Sequence, residues 1–137
     1  MARSQRVIEI MPNTSQETGV ERPELSGVRM TVSESGPQSV VNASTVLTFE
    51  QQGDVVSARY RGGEIVDGYL IGHLEGWSFR FRYVQADRSG RLDAGVSEGV
   101  LDRLADGRLR LVEHYQWLTR PERGTNTFEE IRTGAAT

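Results

Sequence analysis

Residues 67–87 read DGYLIGHLEGWSFRFRYVQAD, two runs in which apolar and polar residues alternate on either side of Glu75-Gly76. Alternation with a period of two marks a strand with one buried face, because successive side chains point to opposite sides of a sheet. An acidic-Gly pair between two such runs suits a two-residue hairpin turn. With the turn at Glu75-Gly76, Leu74 is expected opposite Trp77, Gly72 opposite Phe79, Leu70 opposite Phe81 and Gly68 opposite Tyr83. One face of the ribbon then carries Leu70, Leu74, Trp77, Phe79, Phe81, Tyr83 and Gln85. The other carries Asp67, His73, Ser78, Arg80 and Arg82. Glycines opposite large aromatics leave room for the rings or for a ligand.

Working outward, turn signals recur between further alternating runs: Ser35-Gly36-Pro37, Gly53-Asp54, Gly62-Gly63, Ser89-Gly90, Asp106-Gly107 and Pro121 to Gly124. Such spacing predicts an antiparallel meander. Two-residue turns at Ser89-Gly90 and Asp106-Gly107 would pair Gln85 with Ala94, Val100 with Glu113, Glu98 with Tyr115 and Val96 with Trp117. Leu92, Val96, Glu98 and Val100 would then join the Trp77 face, while Asp93, Ser97, His114 and Gln116 would point outward. The expected fold is all-β: one up-and-down antiparallel barrel of about eight strands, which removes exposed sheet edges. A two-sheet sandwich is the alternative, and the run 97–105 would also suit a short helix.

At 137 residues the chain fits one domain. Residues 1–27 read as an N-terminal extension whose VIEIM segment, Val7 to Met11, is a candidate lid; 28–133 read as the barrel and 134–137 as a tail. There is no cysteine, so disulfides and thiolate metal sites are excluded. The net charge is −3 and all 16 basic residues are arginine, with no basic cluster to favour nucleic acid. No apolar run is long enough for a membrane-spanning helix and no secretory leader is visible, so a cytoplasmic location is expected.

The expected inward face is not purely apolar. Glu98 and Glu113 would lie beside Tyr115, Tyr83, Gln85, Trp77 and Trp117, with Phe128 and Glu130 joining from the last strand. A buried carboxylate pairs, accepts hydrogen bonds or raises its pKa, and a raised carboxyl can act as a general acid or base near neutrality. Glu98, Glu113 and Tyr115 are therefore the candidate catalytic residues. Trp77, Phe79, Phe81, Tyr83, Gln85, Trp117 and Phe128 are the candidate substrate-binding wall. Gly95 to Gly99 match G-x-S-x-G, but that elbow needs a strand-turn-helix on a parallel sheet. His73 and His114 are expected on the outer face; no metal motif and no cofactor-binding loop is present.

From Val28 to Ile131 the chain resembles small bacterial proteins labelled N-acetylglutamate synthase. The resemblance is carried by Gly53 to Tyr60, Gly62 to Val66 with Gly68, Leu70 to Gly72, Tyr83 with Gln85, Trp117 with Glu113 and Gln116, and Gly124-Thr125 with Glu129 to Ile131. No acetyl-CoA-binding loop accompanies it, so acetyl transfer is not expected. The architecture is also similar to calycin and lipocalin-like barrels and to the small β-barrel cyclases that close [4+2] rings in polyketide pathways. That resemblance implies a cofactor-free cyclase or isomerase acting on a hydrophobic, polyketide-like small molecule. A non-catalytic small-molecule-binding barrel and a filled interaction domain are the alternatives. No nucleic-acid or membrane partner is expected, and a homodimer is a candidate assembly.

Overall fold

The computed structural model describes residues 22–132; Val7 to Met11 lie outside them. Among the described residues eight strands follow one another without a helix: β1 (Arg29–Ser35), β2 (Val46–Gln52), β3 (Val55–Gly62), β4 (Ile65–Glu75), β5 (Ser78–Asp87), β6 (Leu92–Arg103), β7 (Leu109–Trp117) and β8 (Arg123–Glu130). They form one closed barrel in sequence order, with β8 returning antiparallel to β1. The expected all-β up-and-down barrel is the fold observed. Residues 97–103 are strand throughout.

The three hairpins whose register was expected residue by residue all differ from it, and the turns expected at Gly62-Gly63 and at Pro121 to Gly124 lie instead at 63–64 and 118–122. In the β4–β5 hairpin Glu75 pairs with Ser78, so Gly76-Trp77 makes the turn and Leu74 faces Phe79. Gly72 then faces Phe81 and Leu70 faces Tyr83. Each pairing moves by two positions, which keeps both faces intact, and Trp77 leaves the strand for the turn.

The next two turns are each one residue longer than a two-residue hairpin loop. Asp87 N–H donates to Arg91 O and Gly90 N–H to Asp87 O, enclosing residues 88–90. Asp87 Oδ1 also accepts from Ser89 N, Ser89 Oγ and Arg91 N. In the same way Leu104 N–H donates to Arg108 O and Gly107 N–H to Leu104 O. Gly90 (φ 88°) and Gly107 (φ 90°) hold the left-handed third position of a three-residue loop. An odd shift of register turns over a whole strand. On β6 the inward residues are therefore Asp93, Gly95, Ser97, Gly99 and Leu101, opposite the expectation for Leu92, Val96, Glu98 and Val100. The second odd shift reverses the first, so Leu111, Glu113, Tyr115 and Trp117 on β7 point inward as expected.

The two ends of the barrel are filled differently. At the end bearing the β2–β3, β4–β5 and β6–β7 turns, Leu25, Met30, Phe49, Val56 and Phe79 are fully buried, and Trp77 packs on them. Pro23 and Leu25 lie in this plug, held by Leu25 N–H to Gln51 Oε1 at 2.9 Å. Each such side chain contributes about 1.5–3 kcal/mol on burial. The opposite end, under the β1–β2, β3–β4, β5–β6 and β7–β8 connections, is hollow.

Candidate functional site

Inward aromatics at the hollow end lie over glycines of the neighbouring strand. Tyr60 faces Gly68, Phe81 faces Gly72, Tyr83 faces Gly95 and Tyr115 faces Gly124. A Cβ at Gly68 would sit 2.4 Å from the Tyr60 ring, and one at Gly95 2.1 Å from Tyr83 Oη. The glycines thus make room for rings, which fold flat against the wall and leave the axis of the barrel open.

The resulting void measures about 460 Å³ including its opening, and the centre of a water molecule can occupy about 40 Å³ of it. Phe81, Tyr83, Tyr115, Trp117 and Phe128 supply aromatic wall, Gln85 and Glu113 supply polar groups, and Ser39, Val40 and Val41 of the β1–β2 connection form the roof. Tyr83 and Tyr115 both meet Trp117 edge-on, with ring centres 5.4 and 5.8 Å away.

Glu113 lies deep in this wall. Ser97 Oγ donates to its Oε2 at 2.5 Å and Asn126 Nδ2 to its Oε1 at 3.1 Å. Burial pushes the Glu113 carboxyl above its usual range, and the two hydrogen bonds oppose that rise without cancelling it. Burial likewise raises the phenols of Tyr60, Tyr83 and Tyr115, with the nearby Glu113 charge adding to the effect. Tyr60 Oη donates to Gln85 Oε1 at 2.9 Å. Four buried polar atoms have no protein partner among the described residues: Tyr83 Oη, Tyr115 Oη, Trp117 Nε1 and Asn126 Oδ1. All four residues line the void.

A charged clasp flanks its mouth. Asp93, with 1% of its side chain exposed, accepts from Arg120 Nε and Nη2 at 3.0 and 2.6 Å and from Thr119 Oγ1 at 2.6 Å. These bonds, Arg120 first, hold the Asp93 carboxyl down at about 2. The Arg120 guanidinium carbon stands 5.0 Å from the centre of the Trp117 ring.

The structure thus brings together Glu113, Tyr115, Phe81, Tyr83, Gln85, Trp117 and Phe128 of the expected site. Glu98 is exposed on the outer face of β6 and leaves the site, because the longer 88–90 turn inverts that strand. Phe79 is core at the plugged end and Trp77 sits in the turn there, so neither lines the void. Asp93 and Ser97 were expected outside and are inside. Asn126 and Tyr60 were missed, although each follows the two-residue period, Asn126 from Phe128 and Tyr60 from Ala58.

Residues 23–131 match the family model described as avidin-like protein. The chain belongs to the avidin-like family. No curated protein and no solved structure matches it. In this avidin-like barrel the matched segment takes in all eight strands and Pro23 to Leu25 of the plug. The avidin-like assignment and the closed barrel agree with a calycin-type architecture.

Proposed function

We propose that the protein binds a compact small molecule in the hollow end of its barrel. The observation that carries this reading is the set of four unpartnered, buried polar atoms on residues that line one aromatic-walled void. Leaving a buried polar group unpaired costs about 1–3 kcal/mol, so four at one place favour an occupant that pairs them. Trp117 Nε1 can only donate, Asn126 Oδ1 can only accept, and the two phenols do either. A ligand carrying both a hydrogen-bond donor and an oxygen acceptor satisfies this set. Eight-stranded barrels have the diameter to hold one small ligand, and the avidin-like family assignment supports the same use of the interior.

The test is isothermal titration of the full-length protein with benzamide and benzyl alcohol. One-site saturable heats are expected, weakened about five-fold or more by Tyr115→Phe and by Asn126→Ala. No saturable heat with either compound would sink the proposal.

Glu113 and Tyr115 favour a second reading, a cofactor-free isomerase or cyclase. A carboxyl that burial lifts above its usual range, in the wall of an aromatic-lined void, is suited to moving a proton, and the Tyr115 hydroxyl could polarise a carbonyl. A polyketide-sized substrate would need the Ser39 to Val41 roof to lift. The compact probe is 3-cyclohexenone: Glu113 would take the proton between alkene and carbonyl and return it at the far alkene carbon. Catalysed conversion to 2-cyclohexenone, lost in Glu113→Gln, is the expected result; conversion no faster than in buffer counts against turnover.

A further inference from the structure

Resting on the ligand-binding reading above, we propose that the occupant is a small organic cation, an ammonium group held by Glu113 with its apolar substituents against the aromatic wall. The carboxylate is the only acidic group among the residues lining the void, and no arginine lines it. Both of its partners, Ser97 and Asn126, are neutral. A carboxylate offers about four lone-pair sites, and these two bonds leave acceptor capacity unused. An ionised carboxyl buried without a counter-charge is costly, so a cation is the occupant that stabilises the ionised form of Glu113.

The surroundings fit the same chemistry. Tyr60, Phe81, Tyr83, Tyr115, Trp117 and Phe128 line the void. Ring faces attract cations through their quadrupole, and cages of aromatic rings recognise ammonium ligands. Asn126 Nδ2 is committed to Glu113, which leaves its Oδ1 as an unpartnered acceptor on a lining residue. The tyrosine hydroxyls add two more acceptors. Trp117 Nε1 is the exception, a donor that an oxygen on the ligand would satisfy. At the mouth Arg120 does not oppose a cation, since Asp93 binds it in two places and Asp87 Oδ2 lies 4.0 Å from its Nη2. An anion would find no cationic side chain among the lining residues.

Without a cation, burial favours the protonated form of Glu113. The groups around it are Ser97 from β6, Asn126 from β8, Tyr60 from β3, Tyr83 from β5, and Tyr115 and the neighbouring His114 on its own strand; burial keeps the three phenols neutral, and a His114 charge favours the ionised carboxyl. Binding an ammonium ion should therefore draw the Glu113 pKa down, and over the pH range where the free protein holds that proton, binding releases it and affinity rises with pH.

The experiment is calorimetric titration of the full-length protein near neutral pH with benzylamine, benzyl alcohol and benzoate, in two buffers of different ionisation heat. Benzylamine should bind about ten-fold more tightly than benzyl alcohol, benzoate should not bind, and the benzylamine heat should differ between buffers by up to one proton's worth. Glu113→Gln should remove the preference, so that the variant binds benzylamine no more tightly than it binds benzyl alcohol. Benzyl alcohol binding as well as benzylamine overturns the cation inference and leaves the binding proposal standing. Binding of none of the three overturns both. The wild-type comparison decides the matter even where Glu113→Gln does not fold.

Discussion

The two ends of this barrel are built from the same eight strands with the same alternation, yet one is solid and the other hollow. At the plugged end the inward positions are Met30, Phe49, Val56 and Phe79, sealed by Leu25. At the hollow end they are Tyr60, Tyr83, Gln85, Asp93, Ser97, Glu113, Tyr115 and Asn126. Polar atoms appear inside only where glycines let the rings lie back and space remains. The plug supplies stability. The hollow end gives some up, holding a desolvated carboxyl and four unpaired polar atoms. That division is what a scaffold carrying a binding site requires.

The largest expected effect lies in the plug. Phe79→Ala should cost about 3–5 kcal/mol in urea unfolding, because it opens a cavity among fully buried neighbours. A loss below about 1 kcal/mol would show that the two ends are not packed as differently as they look.

At the rim, Arg120→Ala should cost about 1–3 kcal/mol, since it takes two donors from the nearly inaccessible Asp93 while Thr119 and Arg91 stay in place. The Asp93 carboxyl is depressed from 3.8 to about 2, so its contribution is present above about 3.8 and is lost as pH falls towards 2. The variant should therefore show a weaker acid transition in that window, read by far-ultraviolet circular dichroism. An unchanged transition would remove the clasp from the stability account.

Glu113 acts in the opposite direction. Its folded pKa is raised, so the contribution is complete below the ordinary value of 4.5 and fades as pH climbs towards the folded value. Glu113→Gln should not share this loss, and its melting temperature should gain on the wild type as pH rises from 4.5. A variant that loses ground on the wild type as pH rises would contradict a desolvated carboxyl.

The smallest effect should come from Tyr83→Phe, which deletes an unpartnered hydroxyl. Stability should change by less than about 1 kcal/mol, either way, while affinity for a donor-bearing ligand falls.

Much of the fold was legible because the period of two survives in every strand. The alternation of Phe79, Phe81, Tyr83 and Gln85 placed β5 correctly even though its turn was displaced, since the pairing moved by an even number. The site was less legible because a face depends on the parity of each turn. Asp87 binds three groups of its own loop and adds one residue there, which turned Glu98 out and brought Ser97 and Asp93 in. The matching loop at residues 105–107 restored parity, so Glu113 and Tyr115 were found despite the error between them. Gly90 and Gly107 at the third loop position were the available signals. The Ser39 to Val41 roof belongs to no repeating pattern, and only the closed barrel shows it over the void.

One tryptophan stands at each end, which gives the most direct measurement. Trp77→Phe leaves Trp117 as the only tryptophan, in the wall of the void, and Trp117→Phe leaves Trp77 in the plug. Titrated with benzylamine, the Trp77→Phe protein should show a saturable change in tryptophan emission, and the Trp117→Phe protein should show none. Equal changes in both proteins, or no saturable change in either, would contradict a ligand site at the hollow end.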